Sequence, residues 1–138
     1  MKDYLGLQLN DQQLQTISVL GLAHIGDGVY ELLVRTWLCA NGKTTSKGLH
    51  NQTVSFVRAP AQARAAEKIM PKLTESEQAA YKRGRNAKVN SVPKNADISD
   101  YHAATGLEAL FGYLYLKGER DRINELFGLI VEGKEHAS

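Results

Sequence analysis

At 138 residues and 43% hydrophobic content, the chain is long enough for one globular domain whose core needs no disulfide or metal staple, and its single cysteine, Cys39, excludes an intrachain disulfide. Nothing at the N-terminus resembles a signal peptide, and no apolar run reaches the roughly 18 residues of a membrane span. A soluble cytoplasmic protein is expected, with Cys39 a buried thiol beside Trp37 and Leu38.

Asn10 or Asp11 is placed to cap a first helix running through about Leu20, in which Leu14, Ile17 and Leu20 recur at helical spacing. The apolar stretch from Val19 follows and runs to about Ala40, where Asn41-Gly42 is a stop signal. Thr44 or Ser46 opens the next segment, and residues 51 to 70 are expected to form a long helix interrupted or entered at Pro60 and ended by Pro71. Thr74-Glu-Ser-Glu77 has the form of a capping box and predicts a short helix to about Arg83. The stretch 84 to 97 carries Asn86, Asn90, Pro93 and Asn95 and is expected to be a loop. Ser99 or Asp100 then caps a helix that ends at Gly118, and a last helix runs to about Glu132. No alternating strand pattern occurs, so the fold class predicted is all-α.

Two carboxylates stand out because they interrupt apolar helical stretches. With a period of 3.6 residues, Leu20, Ala23, Asp27, Tyr30 and Val34 share a face, so Asp27 is expected to point with the core. Glu108 sits similarly inside the apolar stretch from Ala103 to Leu116. A buried charge must be paired, hydrogen-bonded or bound to a metal. Gly26 and Gly28 flank Asp27, and Gly106 and Gly112 lie near Glu108. Because glycine weakens a helix by about 1 kcal/mol relative to alanine, its repeated use implies close helix contact or room beside the carboxylates. If the helices cross there, Asp27 and Glu108 are candidate ligands of Mg²⁺ or Mn²⁺, hard cations that take oxygen donors. The alternative is a structural role, with each carboxylate paired to His24, Arg35, Lys117 or backbone groups.

Charge is unevenly spread although the net value is only +2. From Leu32 to Ala66 there is no acid, while Arg35, Lys43, Lys47, Arg58 and Arg64 appear. From Gln78 to Ala96 there is again none, with Lys82, Arg83, Arg85, Lys88 and Lys94. Separation of this kind favours a face that binds a polyanion, with a solvated charged loop as the alternative reading.

Ile25-Gly-Asp-Gly-Val-Tyr-Glu-Leu32 resembles the signature helix of ribonuclease III, and Leu107-Glu-Ala-Leu-Phe-Gly-Tyr-Leu-Tyr-Leu116 resembles its second catalytic helix. Arg83-Gly-Arg-Asn-Ala-Lys88 followed by Val92-Pro-Lys-Asn95 is similar to the mini form of that family, a nuclease domain without a double-stranded-RNA-binding domain. The resemblance extends from about Leu14 to Gly133. It implies a ribonuclease III catalytic-domain fold over residues 1 to 138, with Asp27 and Glu108 as catalytic and metal-site residues. It also implies Mg²⁺-dependent hydrolysis of double-stranded RNA to 5′-phosphate and 3′-hydroxyl ends. A homodimer with one site per subunit, precursor 23S ribosomal RNA as substrate and a ribosomal protein as possible helper belong to the same expectation.

Arg83, Arg85, Asn86, Lys88 and Lys94 then become RNA contacts, since A-form RNA is read mainly through phosphates, 2′-hydroxyls and shape. Full-length ribonuclease III has a glutamate where this chain has Ala23 and an aspartate where it has Thr105. Two protein carboxylates instead of four imply one firmly held Mg²⁺. The same departures leave a rival reading, a catalytically weak double-stranded-RNA-binding dimer module. His24 and Glu31 lie close enough in sequence to Asp27 to approach a metal, with packed and surface roles as their alternatives, and Tyr113 or Tyr115 could line the site.

Overall fold

The computed structural model describes residues 1 to 42, 45 to 88 and 97 to 134. Among these it is all-helical: α1 (Asp11–Gln15), α2 (Val19–Ala40), α3 (Ser46–Val57), α4 (Ala59–Ile69), α5 (Glu75–Arg85), α6 (Ile98–Lys117) and α7 (Arg120–Val131). A 3₁₀ turn at Met70–Lys72 separates α4 from α5. No helix among the described residues is long and apolar enough to cross a membrane.

Local side-chain chemistry sets most of these boundaries. The Asn10 side chain accepts from Gln13 N while the Gln13 side chain accepts from Asn10 N, a reciprocal cap that starts α1. The predicted first helix stops early, because Ser18 takes up an extended conformation and its hydroxyl accepts from Gly21 N, which starts α2. The predicted long helix over 51 to 70 is likewise two helices, since Arg58 is extended and Pro60 falls in the first turn of α4. Thr45, neither of the two expected starts, caps α3 so that Ser46 is its first helical residue; Thr44 lies outside the described residues. The Thr74–Glu77 capping box forms as expected, but α5 continues through Gly84 and Arg85. Asp97 caps α6, accepting from Ser99 N and Asp100 N, instead of Ser99 or Asp100 themselves. Gly118 closes α6 with φ of 83°, a left-handed conformation that costs glycine little.

α6 organises the rest. Its buried residues, from Ala104 to Leu116, fall on almost every side of the helix, as required of a helix surrounded by others. α2 makes the most extensive helix contact with it, followed by α5 and α4. Leu107, Leu110 and Phe111 of α6 are fully enclosed with Tyr30 and Val34 of α2, Ile69 of α4, and Leu126 and Ile130 of α7. Burying each such side chain contributes about 1.5–3 kcal/mol. Tyr30 meets the rings of Phe111 and Phe127 edge to face, at centroid distances of 5.4 and 5.9 Å.

A glycine crossing with two carboxylates

α2 and α6 touch backbone to backbone. A Cβ at Gly26 would collide with the carbonyl oxygen of Glu108, and one at Gly112 would collide with the carbonyl oxygen of Leu22. No side chain fits at either position. α5 meets α6 by the same device: a Cβ at Gly84 would lie 2.6 Å from Ala109 Cβ and 2.8 Å from Thr105 O, and one at Gly106 would lie 2.7 Å from the Tyr81 ring. Gly28 differs, with no atom within 4 Å of its added Cβ. Both expected uses of glycine, contact and room, therefore occur.

Because Gly26 precedes Asp27 and packs on the Glu108 backbone, the crossing brings the two carboxylates to one place. Neither pairs with a cation among the described residues. Arg35 pairs with Glu31 at 3.0 Å, and Lys117 donates to the Tyr113 hydroxyl at 3.2 Å, so these proposed structural partners of the carboxylates are engaged elsewhere. Glu108 is half-buried, and loss of solvent pushes its carboxyl up to about 8. The charge of Asp27 acts in the same direction, the Gln62 amide opposes it, and a contact with the Asp27 carboxyl adds to the rise. Two carboxylates competing for negative charge, with no basic side chain among the described residues to relieve them, form a donor set suited to a hard divalent cation.

The expectation that Asp27 is buried is not met: its side chain is exposed. At 100° per residue Asp27 stands on the α2 wheel between Val34 and Leu38, both buried, so its angular position is that of the core. Leu20, on the same arc one level below, is 49% exposed. What differs is cover, because the packed helices enclose Val34 and Leu38 but leave the Leu20 and Asp27 side chains exposed. Asp27 is thus exposed to solvent next to the crossing.

Cys39 is also exposed, against expectation, since it falls on the side of α2 away from the core that holds Leu38. His24 is exposed, and Glu31 is held by Arg35. Tyr113 carries the Lys117 ammonium, and the Tyr115 hydroxyl donates to Tyr4 O at 3.3 Å, so both tyrosines have other contacts. Ala23 and Thr105 are buried, and the Thr105 hydroxyl donates to Tyr101 O at 3.1 Å.

Arg83, Arg85, Asn86 and Lys88 are exposed at and just beyond the C-terminal end of α5. Arg85 Nε donates to Asn86 Oδ1 at 3.3 Å, and its guanidinium lies 5.9 Å from the Tyr81 ring centroid. None of the ion pairs among the described residues involves these cations. Contacts of Gly84 with Thr105, Gly106 and Ala109 set this basic end beside the turn of α6 that carries Glu108. Lys94 and the Val92–Asn95 motif lie outside the described residues.

One residue of the site was missed. Gln62 on α4 is 1% exposed, and its Nε2 donates to Val57 O at 2.9 Å. The same signal that singled out Asp27 was present, a polar residue in register with Ala65, Ala66 and Ile69 on the buried face of its helix.

An all-helical domain that joins a pair of carboxylates at a glycine crossing to a basic helix end has the parts of a phosphodiester-cleaving enzyme. Comparison gives the class its family: the ribonuclease III domain matches residues 20–119. The chain is 42% identical over 138 residues to the mini-ribonuclease 3 of Clostridium tetani, covering 99% of this chain and 91% of that protein. With the mini-ribonuclease 3 of Brevibacillus brevis it shares 48% identity over 83% of this chain and 88% of the relative. A crystal structure of a Fusobacterium nucleatum protein superposes with a TM-score of 0.79 at 28% identity, over 88% of this chain and 98% of that one. The chain belongs to the ribonuclease III family, in its mini-ribonuclease 3 branch, and is an endoribonuclease of that family.

Proposed function

We propose that residues 1 to 138 form a single Mg²⁺-dependent nuclease domain, with Mn²⁺ as a substitute ion, that cuts both strands of double-stranded RNA as a homodimer. The observation that carries this reading is the meeting of Asp27 and Glu108 with no cation paired to either among the described residues. These two residues would hold the ion. When bound, Mg²⁺ supplies Lewis acidity and a water acidic enough to attack a phosphodiester.

The chain's own groups do the rest. Asp27, at the open side of the crossing, faces the substrate, while Glu108 lies deeper and must release its proton before it can act as a ligand. Arg83, Arg85, Asn86 and Lys88 hold phosphates or 2′-hydroxyls beside the carboxylates, and Lys94 belongs to the same basic segment. Cleavage leaves 5′-phosphate and 3′-hydroxyl ends. The exposed side of α2 supports dimerisation: Leu20, His24, Gly28 and Leu32 recur every fourth residue, with Leu20 and Leu32 49% and 60% exposed. Precursor 23S ribosomal RNA in the cytoplasm is the proposed substrate, with a ribosomal protein as a possible partner.

Cleavage of a duplex RNA with Mg²⁺ tests the proposal, with binding followed in parallel for wild type, Asp27→Asn and Glu108→Gln. Wild-type cutting, with both variants binding but cutting at least about 10³-fold more slowly, is expected; the reduction should exceed the 10–100-fold typical of a metal's outer partners. A wild type that binds duplex RNA and cuts it with no divalent metal present would remove the metal from the mechanism.

A further inference from the structure

Gln62 is enclosed beside Glu108, and one of its two polar atoms has no work to do. The Val57 carbonyl can only accept, so the atom 2.9 Å from it is the amide nitrogen, which fixes the orientation of the whole group. The Gln62 amide also lies near enough to the Glu108 carboxyl to oppose the effect of burial on it. Oε1 is shut away from solvent and has no partner among the described residues. Buried polar atoms left in that state are uncommon in native proteins.

A purely structural account covers only half of this side chain. Donation to Val57 O satisfies a carbonyl in the last turn of α3, and that would explain a donor at this position. It does not explain an acceptor left without a hydrogen next to a catalytic carboxylate. The neighbours of Gln62 on the buried face of α4 are Ala63, Ala65, Ala66 and Ile69, so the environment otherwise selects apolar groups.

From this geometry we infer that Gln62 is a positioning residue of the metal site, its amide, anchored on Val57 O, orienting the Glu108 carboxylate and its unpartnered Oε1 giving the site a neutral acceptor. The inference rests on the metal-ion reading given above. Val57 O anchors the amide, the amide fixes Glu108, and Oε1 provides a neutral acceptor beside the two carboxylates of the site. Hydrogen-bonded partners of metal ligands act in this way, setting ligand orientation without touching the ion.

Mn²⁺ binding to the intact protein, followed by the electron paramagnetic resonance of the free ion, provides the test. Gln62→Met keeps the volume and removes both polar atoms, and Gln62→Asn keeps the amide but withdraws it from Glu108. Both are expected to weaken Mn²⁺ binding at least tenfold with the helical circular dichroism unchanged. A folded variant that binds within threefold of wild type overturns the inference while leaving the metal reading intact. A wild type that binds no Mn²⁺ overturns both. A second measurement needs no variant: the side-chain amide resonances of Gln62 in the wild type should shift on titration with Mg²⁺, and resonances that stay fixed at saturation also overturn the assignment.

Discussion

Glu77 and Glu108 are both glutamates shielded from solvent, and the fold treats them in opposite ways. Glu77 is 4% exposed. Arg122 donates to it twice, at 2.8 and 2.9 Å, and Thr74 N donates at 2.8 Å. Burial pushes its carboxyl up, but Arg122 and the Thr74 backbone outweigh that and hold it below the usual range. Glu108 has Asp27 where Glu77 has Arg122, and its carboxyl rises to about 8. One carboxylate is completed by the chain and serves the fold. The other is left incomplete, and incompleteness of that kind marks a site.

The comparison collapses most completely if the crossing is lost. Gly112→Ala would force a methyl group into the Leu22 carbonyl, separating Glu108 from Asp27. We expect a loss of more than about 4 kcal/mol in urea unfolding, in the range reserved for steric conflict in a core, together with loss of cleavage. Next comes the completed partner. Arg122→Met strands a buried charge on Glu77 and should cost about 3–5 kcal/mol by the same measurement, with cleavage per folded molecule preserved.

pH sharpens the contrast further. A carboxyl whose folded pKa is raised contributes stability below its unfolded value of about 4.5 that is lost as pH rises toward about 8. Metal-free wild type should therefore weaken as pH rises between about 5 and 8.5. Glu108→Gln should flatten that slope, as read from urea midpoints. Glu77, held low, contributes above its unfolded value and loses that contribution only as pH falls through its folded one, so Glu77→Gln should change the acid limb instead.

The smallest expected effect concerns the α5 end, whose cations lack acidic partners. Arg85→Ala should weaken duplex RNA binding at low salt and reduce the salt slope by about one unit, without altering stability. An unchanged slope would remove Arg85 from the interface.

Much of this was legible because capping is local. Asn10, Thr74, Gly42 and Gly118 carry their instructions within a few residues, and the glycines around the carboxylates announced the crossing before any contact was known. Ser18 and Arg58 broke predicted helices because a hydroxyl cap and an extended residue before α4 compete with apolar periodicity, which alone runs on through both. The exposure of Asp27 was illegible for a different reason. Periodicity gives the angle of a side chain about its helix, whereas burial depends on whether another element covers that level. Gln62 was visible as a polar residue on an apolar face, but its meaning depends on α4 approaching α6, a relation across 46 positions of sequence.

The mutual contact of Gly26 and Gly112 has a consequence for how such a site changes over generations. Each glycine occupies the space that the other's helix backbone needs, so a larger residue at one position gains nothing from any change at the other. Alanine at both would be worse than at either. Descendants of this sequence are therefore confined to a narrow ridge at these two positions, and the spacing between the two reactive helices is inherited unchanged.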